Sequence, residues 1–371
     1  MTLHAVTVPK WGLAMEEATL MSWLVPDGAT VNRGQEVAEI ESSKIANVLE
    51  APAGGVLRRQ VAMVGDTRAV GALLAVLADA NEDEAAIDMF VAEFAARAAA
   101  TPQRVFAPPP EETLVIDGRS VNFLRVRSAG PTRGAPLVLL HGLGGNLRSW
   151  SLNQYELAVG RDVYAVDLPG HGASSKEVGA GTLEELAKWV AAFFQAQSLG
   201  PVHLVGHSLG AAVALQVALS RPDCVKSLTG ICGAGFGTPL NRAYLEGFVA
   251  AARRKDLKPV VELLFAEPTR VTREMLDDLI AYKRIDGVTE ALRLLIDHAL
   301  SEETQVQVHK DFGAVRVPAL AIRGSQDRIL PSYTIESPIR VSVIESAGHM
   351  PQLEAPAELN ALIIEFIDKF E

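Results

Sequence analysis

Three consecutive prolines, Pro108-Pro109-Pro110, split this 371-residue chain into stretches whose hydrophobic periods differ. Proline lacks a backbone N–H and fixes φ, so a triple proline ends any helix and favours extended polyproline geometry. With Pro102 upstream the run defines a semi-rigid linker, and a boundary between folded units belongs there. Ahead of it, short apolar runs are broken by Gly, Asp and Pro, as in Trp23-Leu24-Val25-Pro26-Asp27-Gly28 and Gly34-Gln35-Glu36-Val37-Ala38-Glu39-Ile40. That is a pattern of strands and turns, and residues 1–79 are expected to be all-β. A repeat at an offset of 37 relates Gly28 to Gly65, Gly34 to Gly71, Val37 to Leu74 and Ile40 to Leu77, although Arg68 falls where Val31 would align. It describes two similar β halves joined near residues 41–51.

Residues 80–112 carry seven acidic against two basic residues and read as a separator. The stretch opens with a Gly- and Pro-free helix over 82–100, in which Ile87, Phe90, Val91 and Phe94 fall at helical spacing. From 113 to 371 the pattern becomes α/β. Apolar runs such as Leu137-Val138-Leu139-Leu140 and Val202-His203-Leu204-Val205, of the buried parallel-strand kind, alternate with helical segments such as 183–194 and 211–220. Helices alone occupy 236–300, which predicts an inserted cap. The alternation returns at Ala319-Leu320-Ala321-Ile322 and Arg340-Val341-Ser342-Val343-Ile344.

Composition narrows the function classes. Hydrophobic residues make up 49% and charged residues 21%, enough to bury a core and too apolar for a disordered chain. A net charge of −11 without a basic stripe argues against nucleic acid, because phosphate neutralisation needs clustered Lys and Arg. No uncharged apolar run approaches the roughly 18–20 residues of a membrane span, and the first residues lack the basic-then-apolar layout of a secretory signal. Cys224 and Cys232 make neither a disulfide framework nor a zinc-ligand set, so no metal is expected and a reducing cytoplasm is.

The sharpest motif is Gly206-His207-Ser208-Leu209-Gly210, placed between a predicted strand and a predicted helix. Glycines at both ends let such a turn bring backbone segments close, and the strained turn lifts Ser208 Oγ above the sheet. A serine hydroxyl needs a base, and the base needs an acid to orient it. Asp327 and His349 each follow a predicted strand, at the edge where open α/β sheets build their sites. Asp167 is a rival acid that comes earlier in the chain. An oxyanion needs two N–H donors: Leu209, directly after the serine, and Leu143, in the loop His141-Gly142-Leu143-Gly144-Gly145.

With Asp167-Leu168-Pro169-Gly170-His171-Gly172-Ala173-Ser174, these elements resemble the α/β-hydrolase fold over residues 113–371, in which the order Ser, Asp, His is the expected one. In the N-terminal part, Glu41-Ser42-Ser43-Lys44-Ile45 lies at the junction of the repeat. This stretch resembles the lipoyl domain of 2-oxo acid dehydrogenase-type complexes over residues 3–79. The resemblance implies a flattened β-barrel with lipoate amide-linked to Lys44 at a hairpin tip. Ser43 stands where that family usually has Asp, and the methionines that flank the lysine in biotin carriers are absent.

The two halves together resemble the acetyltransferase (E2) components of acetoin-cleaving dehydrogenase complexes. The resemblance implies a thiamine-diphosphate-dependent E1 that acetylates the arm, transfer of the acetyl group to coenzyme A through Ser208, His349 and Asp327, and a flavin-dependent dihydrolipoamide dehydrogenase (E3). The His-x-x-x-Asp-Gly motif of ordinary E2 catalytic domains is absent, and 80–112 does not resemble a peripheral subunit-binding domain. A serine thioesterase that passes the acyl group to water shares every one of these residues and stays open as the alternative. Arg253, Arg254, Lys255 and Lys258 form either a groove for the coenzyme A phosphates or a solvated helix face, and an oligomer is compatible with the sequence.

Overall fold

The computed structural model describes residues 3–9, 17–41, 46–100, 109–128, 130–237, 239–330 and 339–371. The chain divides into two compact units, 1–107 and 108–371. In the first unit, the described strands are β1 (His4–Thr7), β2 (Glu17–Trp23), β3 (Thr30–Val31), β4 (Glu36–Glu41), β5 (Ala46–Glu50), β6 (Gly55–Gln60), β7 (Thr67–Ala69) and β8 (Leu73–Ala78), followed by helix α1 (Glu84–Ala100). They form two four-stranded antiparallel sheets, ordered β1-β8-β6-β3 and β5-β4-β2-β7. The repeat is visible here: β2, β3 and β4 correspond to β6, β7 and β8. The paired glycines Gly28/Gly65 and Gly34/Gly71 all take positive φ. Val37, Leu74, Ile40 and Leu77 are buried between the sheets. Arg68 departs from the repeat because its guanidinium turns back to donate to Val61 O, Leu73 O and Asp66.

The run Leu73–Ala78 is buried throughout. A half-buried strand would alternate; this one has cover on both faces. Leu74, Ala75 and Leu77 face the sandwich core, whereas Leu73 and Val76 pack under Ile87 of α1, with Phe90, Val91 and Phe94 alongside. Arg58 and Arg59 pair with Glu84 and Asp88 at the helix start. The acidic helix therefore belongs to the first unit.

The second unit is built on β9 (Glu111–Ile116), β10 (Arg119–Val126), β11 (Leu137–Leu140), β12 (Val163–Val166), β13 (Val202–His207), β14 (Val225–Ile231), β15 (Ala319–Gly324) and β16 (Arg340–Ile344). They form a sheet ordered β16-β15-β14-β13-β11-β12-β10-β9, parallel from β12 to β16 with the antiparallel pair β9–β10 at one edge. One face carries α3 (Leu183–Ala196) and α4 (Leu209–Ser220); the other carries α2 (Gln154–Leu157) and α11 (Pro356–Ile367). Between β14 and β15 lie α5 (Arg242–Ala250), α6 (Arg254–Val261), α7 (Arg273–Lys283), α8 (Val288–Asp297) and α9 (Glu302–Asp311). Of these, α9 packs on α4 and rejoins the sheet layer. The short α10 (Pro351–Glu354) precedes α11.

At the amino edge of this sheet, Glu371 gathers four partners. Its carboxylate accepts from Ala135 N–H at 3.0 Å, His203 Nε2 at 3.2 Å, Lys226 Nζ at 3.3 Å and the Arg161 guanidinium. Burial pushes its carboxyl up, but the Ala135 N–H and the cations outweigh that and hold it below its ordinary range. Glu371→Gln is therefore expected to destabilise the unit by about 1–3 kcal/mol, the cost of leaving largely buried donors unpaired. Because the folded carboxyl is depressed, its contribution is present at neutral pH and lost as pH falls through the folded value. Thermal melts of wild type and variant should converge in acid.

Candidate active site

β13 delivers Ser208 to the carboxyl edge of the sheet, and α4 starts at the next residue. Turning from strand to helix in a single residue holds Ser208 at φ 52°, ψ −114°, a backbone conformation L-residues rarely adopt. The flanking glycines permit it. A Cβ on Gly206 would lie 2.2 Å from Gly210 O, and one on Gly210 would lie 2.3 Å from Leu140 O. Ser208 N–H donates to Ile231 O at 2.9 Å, and Ser208 O accepts from Ala234 N–H at 3.1 Å.

The loop after β11 passes against this turn: a Cβ on Gly142 would lie 3.1 Å from Ser208 Cβ. Gly145 N–H donates to Gly142 O, which puts Leu143 and Gly144 at the centre of a tight turn. Leu209 contributes the first amide of α4, one of those a helix leaves without an intrahelical acceptor. β11 and β13 are neighbours, yet the chain leaves them in opposite directions across the sheet. Leu143 and Leu209 thus flank the crevice where strand order reverses, the usual ligand site of an open α/β sheet.

Asp327 and His349 follow β15 and β16, and the structure brings them together. His349 Nδ1–H donates to Asp327 Oδ2 at 2.8 Å, with both side chains almost fully buried. The other carboxylate oxygen accepts from Ile329 N–H at 2.8 Å and Leu330 N–H at 2.9 Å. Burial pushes the Asp327 carboxyl up, but His349 and the two amides hold it below its ordinary range, so it stays ionised. With the proton on Nδ1, Nε2 keeps a lone pair free to take a proton. Cys232 completes a cluster whose donor atoms lie within 4.8 Å of one another. Burial and the Asp327 charge raise its thiol well above the ordinary value, so a neutral thiol borders the carboxylate. With the acid already accepting three N–H bonds, this donor set suits a proton relay.

His207, inside the serine turn, bonds to the histidine loop. Its Nε2–H donates to His349 O at 2.7 Å, and the two rings stand 5.0 Å apart. Burial and the nearby His349 push it down to about 3, so it is neutral in the working range. The rival acid Asp167 is engaged elsewhere: its carboxylate accepts from Leu147 N–H, Asn122 Nδ2 and Ala173 N–H at 2.7–2.9 Å. His141 shapes the oxyanion loop, donating from Nδ1 to Gly142 O and accepting Leu168 N–H at Nε2.

Of the cap cations, Arg253 pairs with Asp256, Arg254 with Asp277 and Lys258 with Glu262, all on exposed surface. Three of the four cations of the run are thus engaged by carboxylates, and Asp277 is shared with Arg273. Lys44 lies outside the described residues; the strands on either side of it, β4 and β5, pair antiparallel through Glu41 and Ala46.

Residues 135–356 match the α/β hydrolase fold family, and residues 4–77 match the biotin/lipoyl family described as biotin-requiring enzyme. A relative from Pseudomonas putida is 43% identical over 99% of both chains, and one from Cupriavidus necator is 41% identical over 98% of this chain and 96% of its own. Both are named dihydrolipoyllysine-residue acetyltransferase component of acetoin cleaving system. Among solved structures, a meta-cleavage product hydrolase from Pseudomonas fluorescens superposes with a TM-score of 0.62 over 70% of this chain and 98% of its own, at 18% identity, a likeness of fold. Fold and site thus define a biotin/lipoyl-type carrier joined to an α/β hydrolase. The chain belongs to the family of acetyltransferase (E2) components of acetoin-cleaving systems.

The bond from His207 makes a specific expectation. His207→Ala should slow fluorophosphonate labelling of Ser208 about tenfold by loosening His349, since small displacements of a catalytic group are costly. His207→Gln, which keeps an N–H donor at similar reach, should restore most of that rate. Neither should move the pH midpoint of labelling, because His207 does not titrate there.

Proposed function

We propose that the chain moves an acetyl group from a lipoyl thioester on Lys44 to coenzyme A through an acyl-serine at Ser208. The observation that carries this reading is the His349–Asp327 pair, bonded through His207 to the strained turn that holds Ser208, on a chain that also contains a biotin/lipoyl-family domain. We assign residues 1–79 to the carrier, 80–112 to the connecting segment and 113–371 to the catalytic domain with its cap at 236–300.

Lipoate on Lys44 supplies a dithiol that holds the acetyl group as a thioester. The paired strands β4 and β5 suit a lysine presented on the connection between them, and Ser43 and Ile45 beside Lys44 favour lipoate over biotin. His349 Nε2 takes the proton of Ser208 Oγ as that oxygen attacks the thioester carbonyl. Asp327 holds the ring and balances the imidazolium. The N–H groups of Leu143 and Leu209 receive the negative oxygen of the tetrahedral intermediate. As the C–S bond breaks, His349 returns the proton to the departing sulfur and acetyl-Ser208 remains. The second half mirrors the first. His349 takes the thiol proton of coenzyme A, the sulfur attacks the ester, and Ser208 leaves with the proton as acetyl-CoA forms.

Membership in an acetoin-cleaving system makes the protein part of a multienzyme complex. Its partners on this reading are a thiamine-diphosphate-dependent E1 and a dihydrolipoamide dehydrogenase, in the cytoplasm. Among the described residues no helix is long and apolar enough to cross a membrane. Water is the alternative acceptor, and the ion pairs that engage Arg253, Arg254 and Lys258 lend no support to a coenzyme A groove there.

The test supplies acetyl-dihydrolipoamide with and without coenzyme A and measures acetyl-CoA and acetate together. Acetyl-CoA should dominate, and Ser208→Ala should reduce its formation by about 10⁴-fold or more. Acetate released at one rate whatever the coenzyme A concentration would make the protein a thioesterase. Intact mass should show a lipoyl increment on chains from a lipoylating host and none on Lys44→Arg.

A further inference from the structure

We infer that Glu354 is a positioning residue that holds the catalytic histidine by reading the backbone on both sides of it. The residue is 9% exposed. One oxygen accepts from Gly348 N–H at 2.9 Å and Met350 N–H at 3.2 Å; the other accepts from Ala266 N–H at 2.7 Å. The amide between the two, that of His349, donates instead to Leu264 O at 2.8 Å. Three consecutive amides of the histidine loop are thus engaged, two by Glu354 and one by the cap segment that Glu354 also grips.

The same cap segment is fastened to the acid loop. Arg328, the neighbour of Asp327, donates to Glu262 O at 2.5 Å and Phe265 O at 2.6 Å. Gly348 is where the segment comes closest: a Cβ there would lie 2.7 Å from Ala266 N and 3.0 Å from Leu264 O. Residues 262–266 are therefore a shared post for both catalytic loops, and Glu354 is the side chain that spans post and histidine loop.

A buried carboxylate is costly unless its oxygens are satisfied, and a space-filling role needs no charge. Burial does push this carboxyl up, against the pull of the three amides and of Arg270. The Arg270 guanidinium itself donates to the backbone carbonyls of Leu353 and Glu354. What the carboxylate adds over an apolar side chain is three directed bonds that fix where the His349 ring starts. A shift of about 1 Å in a catalytic group can cost on the order of 10²-fold in rate.

The inference rests on His349 acting as the base for Ser208, and the assay is chosen to separate the two. Acylation of Ser208 by p-nitrophenyl acetate involves neither coenzyme A nor the carrier, and Ser208→Ala is the control. If that control still shows the acylation burst, the assignment of Ser208 as nucleophile fails, and His349 as its base with it. Given a silent control, folded Glu354→Ala should acylate about 30- to 100-fold more slowly with KM within threefold, since the loss is one of geometry. The downfield proton resonance of the His349 Nδ1–H···Asp327 bond should broaden or vanish with it. Glu354→Gln can still accept from Gly348 and Met350 through its carbonyl oxygen, while its NH2 opposes the Ala266 donor. It should recover about tenfold of the alanine loss and keep the resonance. An alanine variant within threefold of wild type, or a glutamine variant no better than alanine, overturns the inference. Should alanine fail to fold, glutamine alone decides: a threefold to tenfold fall in kcat with the resonance kept supports it, and an unchanged kcat or a change in KM alone overturns it.

Discussion

Everything chemical in this protein depends on the backbone of Ser208. A residue held at φ 52° between a strand and a helix stores strain, and the surrounding structure must over-determine it. It does so from three sides. The glycines at 206 and 210 remove the atoms that would collide, Ile231 and Ala234 bond the serine's own peptide groups, and the loop after β11 closes against Ser208 Cβ. Once this turn exists, the first amide of α4 and the β11 loop stand on either side of the serine without further arrangement. Of the two amides proposed as oxyanion donors, that of Leu209 comes with the elbow itself and that of Leu143 with the loop that closes against it.

The same reasoning separates what was legible in the sequence from what was not. Gly-x-Ser-x-Gly was readable because its constraint is local: five consecutive residues must make one tight turn. Asp327 and His349 were readable because each follows an apolar run of strand length, and chain order paired them. His207 and Glu354 left little trace, since each bonds to main-chain groups. His207 reaches a carbonyl 142 residues away, and Glu354 reaches the Ala266 amide 88 residues away. A backbone partner has no residue identity to recognise, and a conventional core histidine or helix-end glutamate looks the same on paper. The basic run at 253–258 left two readings open, and its ion pairs fit the solvated helix face. Asp256 and Glu262, which pair with Arg253 and Lys258, lie three and four residues away along the chain and were as visible as the charges, whereas Asp277 reaches Arg254 only through the packing of α6 and α7.

In the carrier the repeat was partly legible for a similar reason. Glycines at matching turns and apolar residues at matching pleats are local demands, repeated because the two sheets answer to one another. The apolar run at 73–78 told less than it contained. Continuous hydrophobicity says that both faces are covered and not by what. The covering element is α1, whose Ile87, Phe90, Val91 and Phe94 were evident as a stripe without an assigned surface.

On the proposed mechanism water and coenzyme A compete for one acyl-serine, and the elbow and the Asp–His pair would serve both equally. A donor attached to Lys44, as proposed, would be present at an effective concentration on the order of millimolar, so acylation would make little demand on donor affinity. The outcome is therefore set in the second half-reaction, by how well water is kept from the His349 lone pair. Ser208 and His349 are 5% and 2% exposed, and the cap segment at 262–266 is bonded directly to the loops that carry His349 and Asp327. A cap anchored at the catalytic histidine cannot lift away there without disturbing the base. Opening at that point would cost activity toward every acceptor alike. Cover that stays in place during turnover disfavours a freely diffusing solvent molecule and favours an acceptor that brings binding energy of its own, which is the physical requirement for transfer over hydrolysis.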